Sequence, residues 1–446
     1  MSLNDLPFMK LTAYIIFFVL LELSMVLSCF AQQDTATVMV YNVLHYGDGC
    51  QGSDAFLHSN LKIIAEYVRP DILGMVKVES VLPPGFGDSI LVNALNLFSP
   101  EKYAYCPLTN VSHNPDGDRD LLFYNQNKFG FLSVVTLLGI STNPPTEEDF
   151  NLYKLYYKDP NLSTTYDTTF LYIILNHTIS GSNEIGRDEQ DASIVQTLQN
   201  MFHSLPNLIT MGDFNTHISS ETGYVLLTQS SNSNFLFSDP PFYPDRNLNY
   251  PLDWENAPVA AKYLNTSTRQ SADLPNSCGT SGGAKDWYLH LLLSQPIIKN
   301  SNYITYISNS YTTIGNDGNR TGISINDNSS FPNTSAPDSV LNAIYTFSDK
   351  YPVAIKLGIT YNTKGYGPAV TVNNPVDNLI TLRFPPNFSG QEMEMHLYDV
   401  LGRCQQTEFY TIEGIEETSE TSLTSGVYTL TIKVGNYKYT TRIVKN

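Results

Sequence analysis

The stretch LPNLITMGDFN, residues 205–215, is the part of this chain that decides its fold. An apolar run is followed at once by Gly212-Asp213-Phe214-Asn215, the pattern of a buried strand that ends in a turn. Asp213 and Asn215 stand two residues apart, so they present a carboxylate and a carboxamide on one face of the strand end. Such a pair can hold a water molecule or a cation beside a phosphate. The competing interpretation is an ordinary strand end, because Gly-Asp turns close many strands.

The composition indicates an acidic, well-folded protein. The 446 residues include 25 Lys and Arg against 43 Asp and Glu, a formal net charge of −18. Hydrophobic residues make up 42% and charged residues only 15%, so we expect a large domain with a sizeable core and a smaller second domain. Proteins that bind long nucleic acids concentrate basic side chains, because phosphate neutralisation supplies most of the affinity. Duplex DNA is therefore disfavoured as a partner.

Residues 1–31 are predicted to be a secretory signal peptide. Lys10 precedes an apolar run from Leu11 to Leu21, and small residues lead to Ala31. Glu22 interrupts the run, which is too short to span a membrane, so we expect no transmembrane anchor in the mature form. An oxidising compartment allows one disulfide, and its pairing stays open among three cysteines: Cys50, Cys106 and Cys278.

Apolar runs bounded by turn residues predict a series of strands with a few helices between them. The predicted strands of the main domain are Thr37–Val43, Asp71–Val78, Arg119–Tyr124, Phe131–Leu138, Thr169–Leu175, Leu208–Met211, Trp287–Leu293 and Val353–Ile359. Helical spacing of apolar residues covers two segments, Leu57–Val68 and Ala192–Phe202. This mixture predicts an α+β layered sandwich.

Several other predicted strands also border polar residues. Asn42 lies near the end of the first strand, Lys77 and Glu79 close the second, and His177 follows the fifth. Ser348-Asp349-Lys350 precedes the last strand. Each of these alone is also compatible with a structural strand end or turn. Their order and spacing along one chain predict a shared site.

With this set of strand ends the chain resembles the endonuclease/exonuclease/phosphatase superfamily, which has the DNase I-like fold. The resemblance runs from about Thr37 to Gly358 and is closest to secreted Bacteroidetes members. It implies a two-layer β-sandwich flanked by helices, within a domain that spans residues 32–360. It also implies hydrolysis of a phosphodiester or phosphomonoester by in-line attack of water, with Mg²⁺ or another divalent cation. The acidic composition then favours a phosphorylated small molecule or a phospholipid headgroup over duplex DNA.

The same resemblance implies roles for individual residues. Asn42 and Asp349 are expected to bind the metal ion, for which oxygen ligands are suited. Asp213 is expected to orient or deprotonate the attacking water, and Asn215 to hold water or phosphate. His177 is expected to contact the phosphate or the leaving group.

Three positions depart from the family pattern. Lys77 stands where a metal-binding Glu is expected, Lys350 where a phosphate-contacting His is expected, and Leu289 where the Asp that supports this His is expected. An ammonium group in place of a carboxylate repels a divalent cation. Glu79, two residues after Lys77, is the candidate replacement ligand. Two interpretations stay open: an active phosphoesterase with a rearranged site, and a catalytically inactive relative that acts as a secreted binding or interaction protein.

The last part of the chain is predicted to be a linker, residues 361–375, and a small all-β module, residues 376–446. The runs Asn378–Leu382, Leu397–Arg403 and Leu423–Leu430, with the basic end Thr441–Lys445, resemble the type IX secretion sorting domain of Bacteroidetes. A generic β-sandwich binding module is the alternative. The resemblance implies recognition by the type IX secretion machinery and a secreted or cell-surface location.

Overall fold

The computed structural model divides the chain into two compact units. The larger comprises Thr35–Pro160 and Thr168–Ile359, and the smaller comprises Met1–Asp34, Asn161–Asp167 and Thr360–Asn446. The predicted signal peptide and residues 362–369 of the predicted linker lie outside the described residues. The structure describes residues 32–79, 85–107, 118–137, 150–162, 168–242, 253–254, 257–270, 278–361, 370–384, 388, 390–414, 416–435 and 437–446.

The larger unit is built on two β-sheets. Its strands are β1 (Gln32–Tyr46), β2 (Ile72–Val78), β3 (Tyr103–Tyr105), β4 (Arg119–Asn125), β5 (Phe129–Thr136), β6 (Asn151–Tyr157), β7 (Phe170–His177), β8 (Leu208–Asp213), β9 (Phe237–Ser238), β10 (Leu289–Ser294), β11 (Ile304–Tyr306), β12 (Thr312–Thr313) and β13 (Val353–Tyr361). The first sheet has the order β11-β13-β1-β2-β4-β3, with β12 beside β13, and the second has the order β5-β6-β7-β8-β10-β9.

The two sheets pack face to face, with β2 against β7 and β8 and with β4 against β7. β7 is buried along its whole length, because β6 and β8 flank it in the sheet and its apolar side chains fill the space beside it. β1 runs parallel to β2, and β7 runs parallel to β8. Parallel neighbours end at the same edge of a sheet, so the polar strand ends collect at one end of the sandwich.

Helices cover the outer parts of this sandwich. They are α1 (Asp54–Val68), α2 (Phe86–Ile90), α3 (Asn96–Phe98), α4 (Glu184–Met201), α5 (Thr222–Gln229), α6 (Gln295–Lys299) and α7 (Asp338–Phe347), with a π-helical turn at Leu91–Leu95 and 3₁₀ turns at Ser233–Phe235 and Pro240–Phe242. α1 packs against α7, and the ring of Phe347 lies on those of Tyr41 and Tyr46 in β1. α1 ends at Val68, and the next residue, Arg69, takes a left-handed conformation before Pro70.

The smaller unit contains two antiparallel sheets. Its strands are β14 (Thr371–Val372), β15 (Leu379–Arg383), β16 (Glu392–Tyr398), β17 (Cys404–Thr411), β18 (Glu416–Glu420), β19 (Gly426–Val434) and β20 (Tyr437–Lys445). The sheets have the orders β14-β15-β18 and β17-β16-β19-β20. Alternate residues of β16 and β19, such as Met395 and Ile432, enter a shared apolar core.

These elements confirm the predicted fold class, an α+β two-layer sandwich flanked by helices and followed by a small all-β sandwich. β6 and α7 were not among the predicted elements. The disulfide joins Cys50 to Cys278, and Cys106 is a buried free thiol. Among the helices of the described ranges, none combines the length and the apolar character needed to cross a membrane.

Candidate active site

The Gly-Asp-Phe-Asn stretch lies at the end of β8, as predicted, and its local geometry explains its residue types. A Cβ atom on Gly212 would lie 1.8 Å from the backbone oxygen of Asn176 in β7, so only glycine fits between the two strands. Asn215 has a φ of 46°, a conformation that Asn tolerates well. Its side-chain amide donates to the Thr178 carbonyl at 2.8 Å. Asp213 is thereby held at the C-terminal end of β8, beside His177 at the end of β7. We call this end of the sandwich the mouth.

Asn42 connects this mouth to the first sheet. Its Nδ2 atom donates to Oδ2 of Asp213 at 2.8 Å, and its Oδ1 atom accepts from the backbone N–H of Leu44. Both side chains are buried, and His177 is buried beside them, in register with Asp213 across the β7–β8 pair. The structure therefore brings together four of the predicted site residues: Asn42, His177, Asp213 and Asn215.

Asp349 and Lys350 enter the same site from the turn between α7 and β13. The hydroxyl of Ser348 donates to the Asn42 carbonyl at 2.7 Å, which anchors this turn to β1. Nζ of Lys350 lies 2.8 Å from Oδ2 of Asp349, and the two side chains are 6% and 0% exposed. They form a buried ion pair rather than two separate site groups.

Electrostatics keep both members of this pair charged. Burial acts to raise the pKa of Asp349, but the ammonium groups of Lys350 and Lys77 outweigh it and hold that pKa below its ordinary value. Burial acts to lower the pKa of Lys350, but the carboxylates of Asp349, Asp213 and Asp286 raise it overall. The Lys350 ammonium thus contacts Asp349 and is stabilised by the charges of Asp213 and Asp286.

Lys77 lies at an irregularity of β2 rather than in a regular strand. Its φ is 65°, and the pairing register shifts around it against both β1 and β4. Such a bulge interrupts the alternation of side chains on which a shared face for Lys77 and Glu79 depends. The backbone N–H of Glu79 donates to the Tyr46 carbonyl. A metal-binding role for Glu79 stays a prediction.

Leu289 lies directly opposite Asp213 in the β8–β10 pair and is fully buried. Its carbonyl accepts hydrogen bonds from the Asn265 amide and the Tyr311 hydroxyl. Leu289 therefore contributes apolar packing beside the Asp213 carboxylate, while its backbone orders a neighbouring loop.

Thr280 is a site residue that the sequence patterns did not single out. Its backbone N–H and its hydroxyl both donate to Oδ2 of Asp349, each at 2.7 Å. Gly279 has a φ of 81°, and a Cβ atom there would lie within 3.0 Å of the Leu44 and Asp349 side chains. The Cys50–Cys278 disulfide ties this loop to the segment that follows Asn42. The two cysteines were the only sequence signal for this contact.

Tyr288 and His217 form a second pair that the sequence patterns did not predict. The Tyr288 hydroxyl lies 3.0 Å from Nδ1 of His217, whose Nε2 atom lies 3.1 Å from the Gly181 carbonyl. Partial burial raises the pKa of Tyr288, and the carboxylates of Asp286 and Asp213 raise it further. This tyrosine is therefore a neutral hydrogen-bonding group beside the acidic mouth.

The residues of the site do not fit a divalent cation in their present arrangement. Oδ2 of Asp349 accepts from Thr280 twice and from Lys350 once. Its Oδ1 atom is buried and has no hydrogen-bond partner among the described residues. Within the described ranges no group of three or more His, Cys, Asp or Glu residues is placed to hold a metal ion. Lys350 and Lys77 supply positive charge to Asp349.

Comparison with known proteins identifies the C-terminal part of the chain. Residues 374–446 match the family described as the secretion system C-terminal sorting domain. This part of the chain is a sorting domain. It indicates type IX secretion to the cell surface or the extracellular space, which confirms the predicted localisation. Among curated proteins, none matches the sequence.

Solved structures similar to the chain belong to several proteins. The human Nocturnin catalytic domain with bound sulfate is 18% identical over 74% of this chain and 98% of that chain, with a TM-score of 0.43. An endonuclease/exonuclease/phosphatase family protein from Bacteroides thetaiotaomicron is 12% identical over 75% and 100%, with a TM-score of 0.43. A mannosyl-6-phosphatase from the same species is 13% identical over 72% and 99%, with a TM-score of 0.41.

Proposed function

We propose that this protein is a secreted binding protein on a DNase I-like scaffold, and that it does not hydrolyse phosphate esters. The observation that carries this proposal is the buried ion pair of Lys350 with Asp349. The carboxylates of Asp349, Asp213 and Asp286 stabilise the charge of the Lys350 ammonium, and Asp349 contacts it directly. A fixed ammonium therefore supplies the positive charge that a bound cation would bring to such a group of carboxylates.

An ammonium group differs from a metal ion in what it can do to water. A divalent cation lowers the pKa of bound water and offers open coordination positions to a phosphoryl oxygen. An ammonium group offers only hydrogen-bond donors, and at least one of those of Lys350 is directed to Asp349. Asp213 in turn accepts hydrogen bonds from the Asn42 amide and the Asn215 backbone. The site is suited to holding a polar group rather than to activating water.

The ligand that we expect is a phosphorylated small molecule or a phospholipid headgroup. Lys77 and Lys350 supply positive charge at this mouth, and His177 and Asn215 supply further polar groups. Long nucleic acid is disfavoured because the whole chain carries a net charge of −18. The ligand class is tested by thermal unfolding of the full chain with inositol hexakisphosphate, phosphatidylinositol vesicles or duplex DNA. The first two are expected to raise the unfolding temperature, and the DNA is not.

Hydrolysis is tested with bis-p-nitrophenyl phosphate, the purified full chain, and Mg²⁺ or Mn²⁺ in the assay. We expect no release of nitrophenol above the buffer rate, and the same result for Asp213→Ala. A second variant, Lys77→Glu with Lys350→His, restores the residue types of the family and asks whether the scaffold can still support turnover.

One result would overturn the proposal. Turnover by the native chain that disappears in Asp213→Ala would show an active phosphoesterase with a rearranged site. Absence of turnover in the native chain together with turnover in the Lys77→Glu, Lys350→His variant would locate the loss of activity in these two lysines.

A further inference from the structure

The turn between β16 and β17 in the sorting domain exposes two adjacent apolar side chains. Val400 and Leu401 are 79% and 73% exposed, more than any other large hydrophobic side chain among the described residues. In the strand before them the apolar side chains are buried instead: Met393, Met395 and Leu397 lie in the core of the unit. We call Asp399–Arg403 the hairpin tip. Turn positions usually carry small or polar residues, so this apolar pair calls for a reason.

The hairpin tip is held in one conformation by its own hydrogen bonds. Oδ1 of Asp399 accepts from the backbone N–H groups of Leu401 and Arg403 at 2.9 and 3.0 Å. Oδ2 of Asp399 accepts from Nε of Arg403 at 2.7 Å and from the Gln405 amide at 3.0 Å. The backbone of the turn is closed by bonds between Asp399 and Arg403 and between Gly402 and Asp399. A turn fixed in this way loses little conformational entropy when a partner binds it.

We propose that Val400 and Leu401 are the recognition element of the sorting domain and insert into an apolar pocket on a protein of the secretion machinery. A sorting domain must be recognised by another protein, and this tip presents the two most exposed large hydrophobic side chains among the described residues of the unit, next to each other in sequence. Arg403 is 70% exposed in its side chain and commits its Nε atom to Asp399. Arg403 follows Leu401 by two residues in the same turn and carries a positive charge, so the pocket is expected to have an acidic rim.

The test measures secretion of the full chain by a bacterium that has the type IX system. Val400→Thr with Leu401→Thr removes the apolar character of the tip. The matched control is Val427→Thr with Val444→Thr, which changes an exposed pair on the neighbouring strands β19 and β20, where these residues are 46% and 44% exposed. Burial of two aliphatic side chains is worth about tenfold or more in affinity, so secretion of the tip variant should fall about tenfold. The control should be secreted like the native chain.

Two further measurements keep the result unambiguous. Val400→Ile with Leu401→Met keeps the tip apolar and should restore secretion, and the thermal unfolding of the purified tip variant should match that of the native chain. Normal secretion of the Thr variant at the tip, or equal loss in the control, would overturn the proposal. Binding of the native chain to phospholipid vesicles that disappears in the tip variant would also overturn it, because a membrane would then be the partner.

Discussion

The mouth of the larger unit and the hairpin tip of the smaller unit differ in which side chains they bury and which they expose. At the mouth, charged groups are buried and satisfy one another, as Lys350 and Asp349 do at 2.8 Å. At the tip, apolar side chains are exposed, and hydrogen bonds hold the polar backbone and the Asp399 side chain. Substitution of a buried, paired charge is expected to destabilise the fold, whereas an exposed apolar pair is available for contact with a partner. The difference shows that the charged groups of the mouth are held by one another, whereas the apolar pair of the tip is exposed to solvent.

The largest expected effect is at the ion pair. Lys350→Met leaves the Asp349 carboxylate buried without its counter-ion, and we expect a loss of about 3–5 kcal/mol in the free energy of unfolding. Adding Asp349→Leu should recover most of that loss, since a buried pair can often be replaced by apolar residues. Urea denaturation measures both. The control, Lys356→Met, changes an exposed lysine of β13 and should cost about 0.5 kcal/mol or less. Equal losses of unfolding free energy in the Lys350 and Lys356 variants would contradict a special contribution of the ion pair to stability.

Gly212→Ala should give the next largest effect. The added Cβ atom would meet the Asn176 backbone at 1.8 Å, and neither strand can give way easily. We expect a loss of about 3 kcal/mol in the free energy of unfolding. Gly181→Ala is the control, because Gly181 also has a positive φ but open space around it, and about 1 kcal/mol is expected there. If the two variants cost the same, close packing of β7 on β8 is not what requires glycine.

The pH dependence of stability gives a smaller signal with a defined sign. The pKa of Asp349 is lowered in the fold, so its contribution is complete above about pH 3.9 and is lost as the pH falls through the folded-state pKa. The pKa of Lys350 is raised, so its contribution is complete below about pH 10.4 and is lost as the pH rises through its folded-state pKa. The native chain should therefore lose stability relative to Asp349→Leu, Lys350→Met at both extremes. Urea titrations at a series of pH values test this, and a constant difference down to pH 3 would contradict it.

The smallest effect should be at the hairpin tip. Val400→Thr with Leu401→Thr should change the free energy of unfolding by about 0.5 kcal/mol or less, because neither side chain packs in the core. Leu397→Thr, in the buried strand before the tip, should cost several times more. Comparable losses at the tip and at Leu397 would mean that the tip packs within the unit.

Local patterns predicted most of the fold and part of the site. The apolar run before Gly212 predicted β8 and its polar end, because a continuous apolar run that ends in turn residues is a local signal of a buried strand. The strand β6 and the helix α7 were not predicted, and each follows a segment rich in Asn, Ser, Thr and Pro that obscures where the element begins. The contact of Thr280 with Asp349 joins residues 69 positions apart, and the nearby disulfide joins residues 228 positions apart, so no local pattern predicts either. The ion pair between the adjacent residues Asp349 and Lys350 depends on their burial. Tertiary packing sets that burial, and the local sequence pattern does not predict it.

The most direct test of the account is a calorimetric titration of Mg²⁺ into the full chain. The native chain should show no saturable binding at the site, because the Lys350 ammonium already lies on Asp349. Lys77→Glu with Lys350→His exchanges both cations for potential ligands and should bind Mg²⁺ measurably, with Oδ1 of Asp349 available to it. Saturable one-site binding of Mg²⁺ by the native chain that is lost in Asp349→Asn would contradict the claim that Lys350 takes the place of a bound cation.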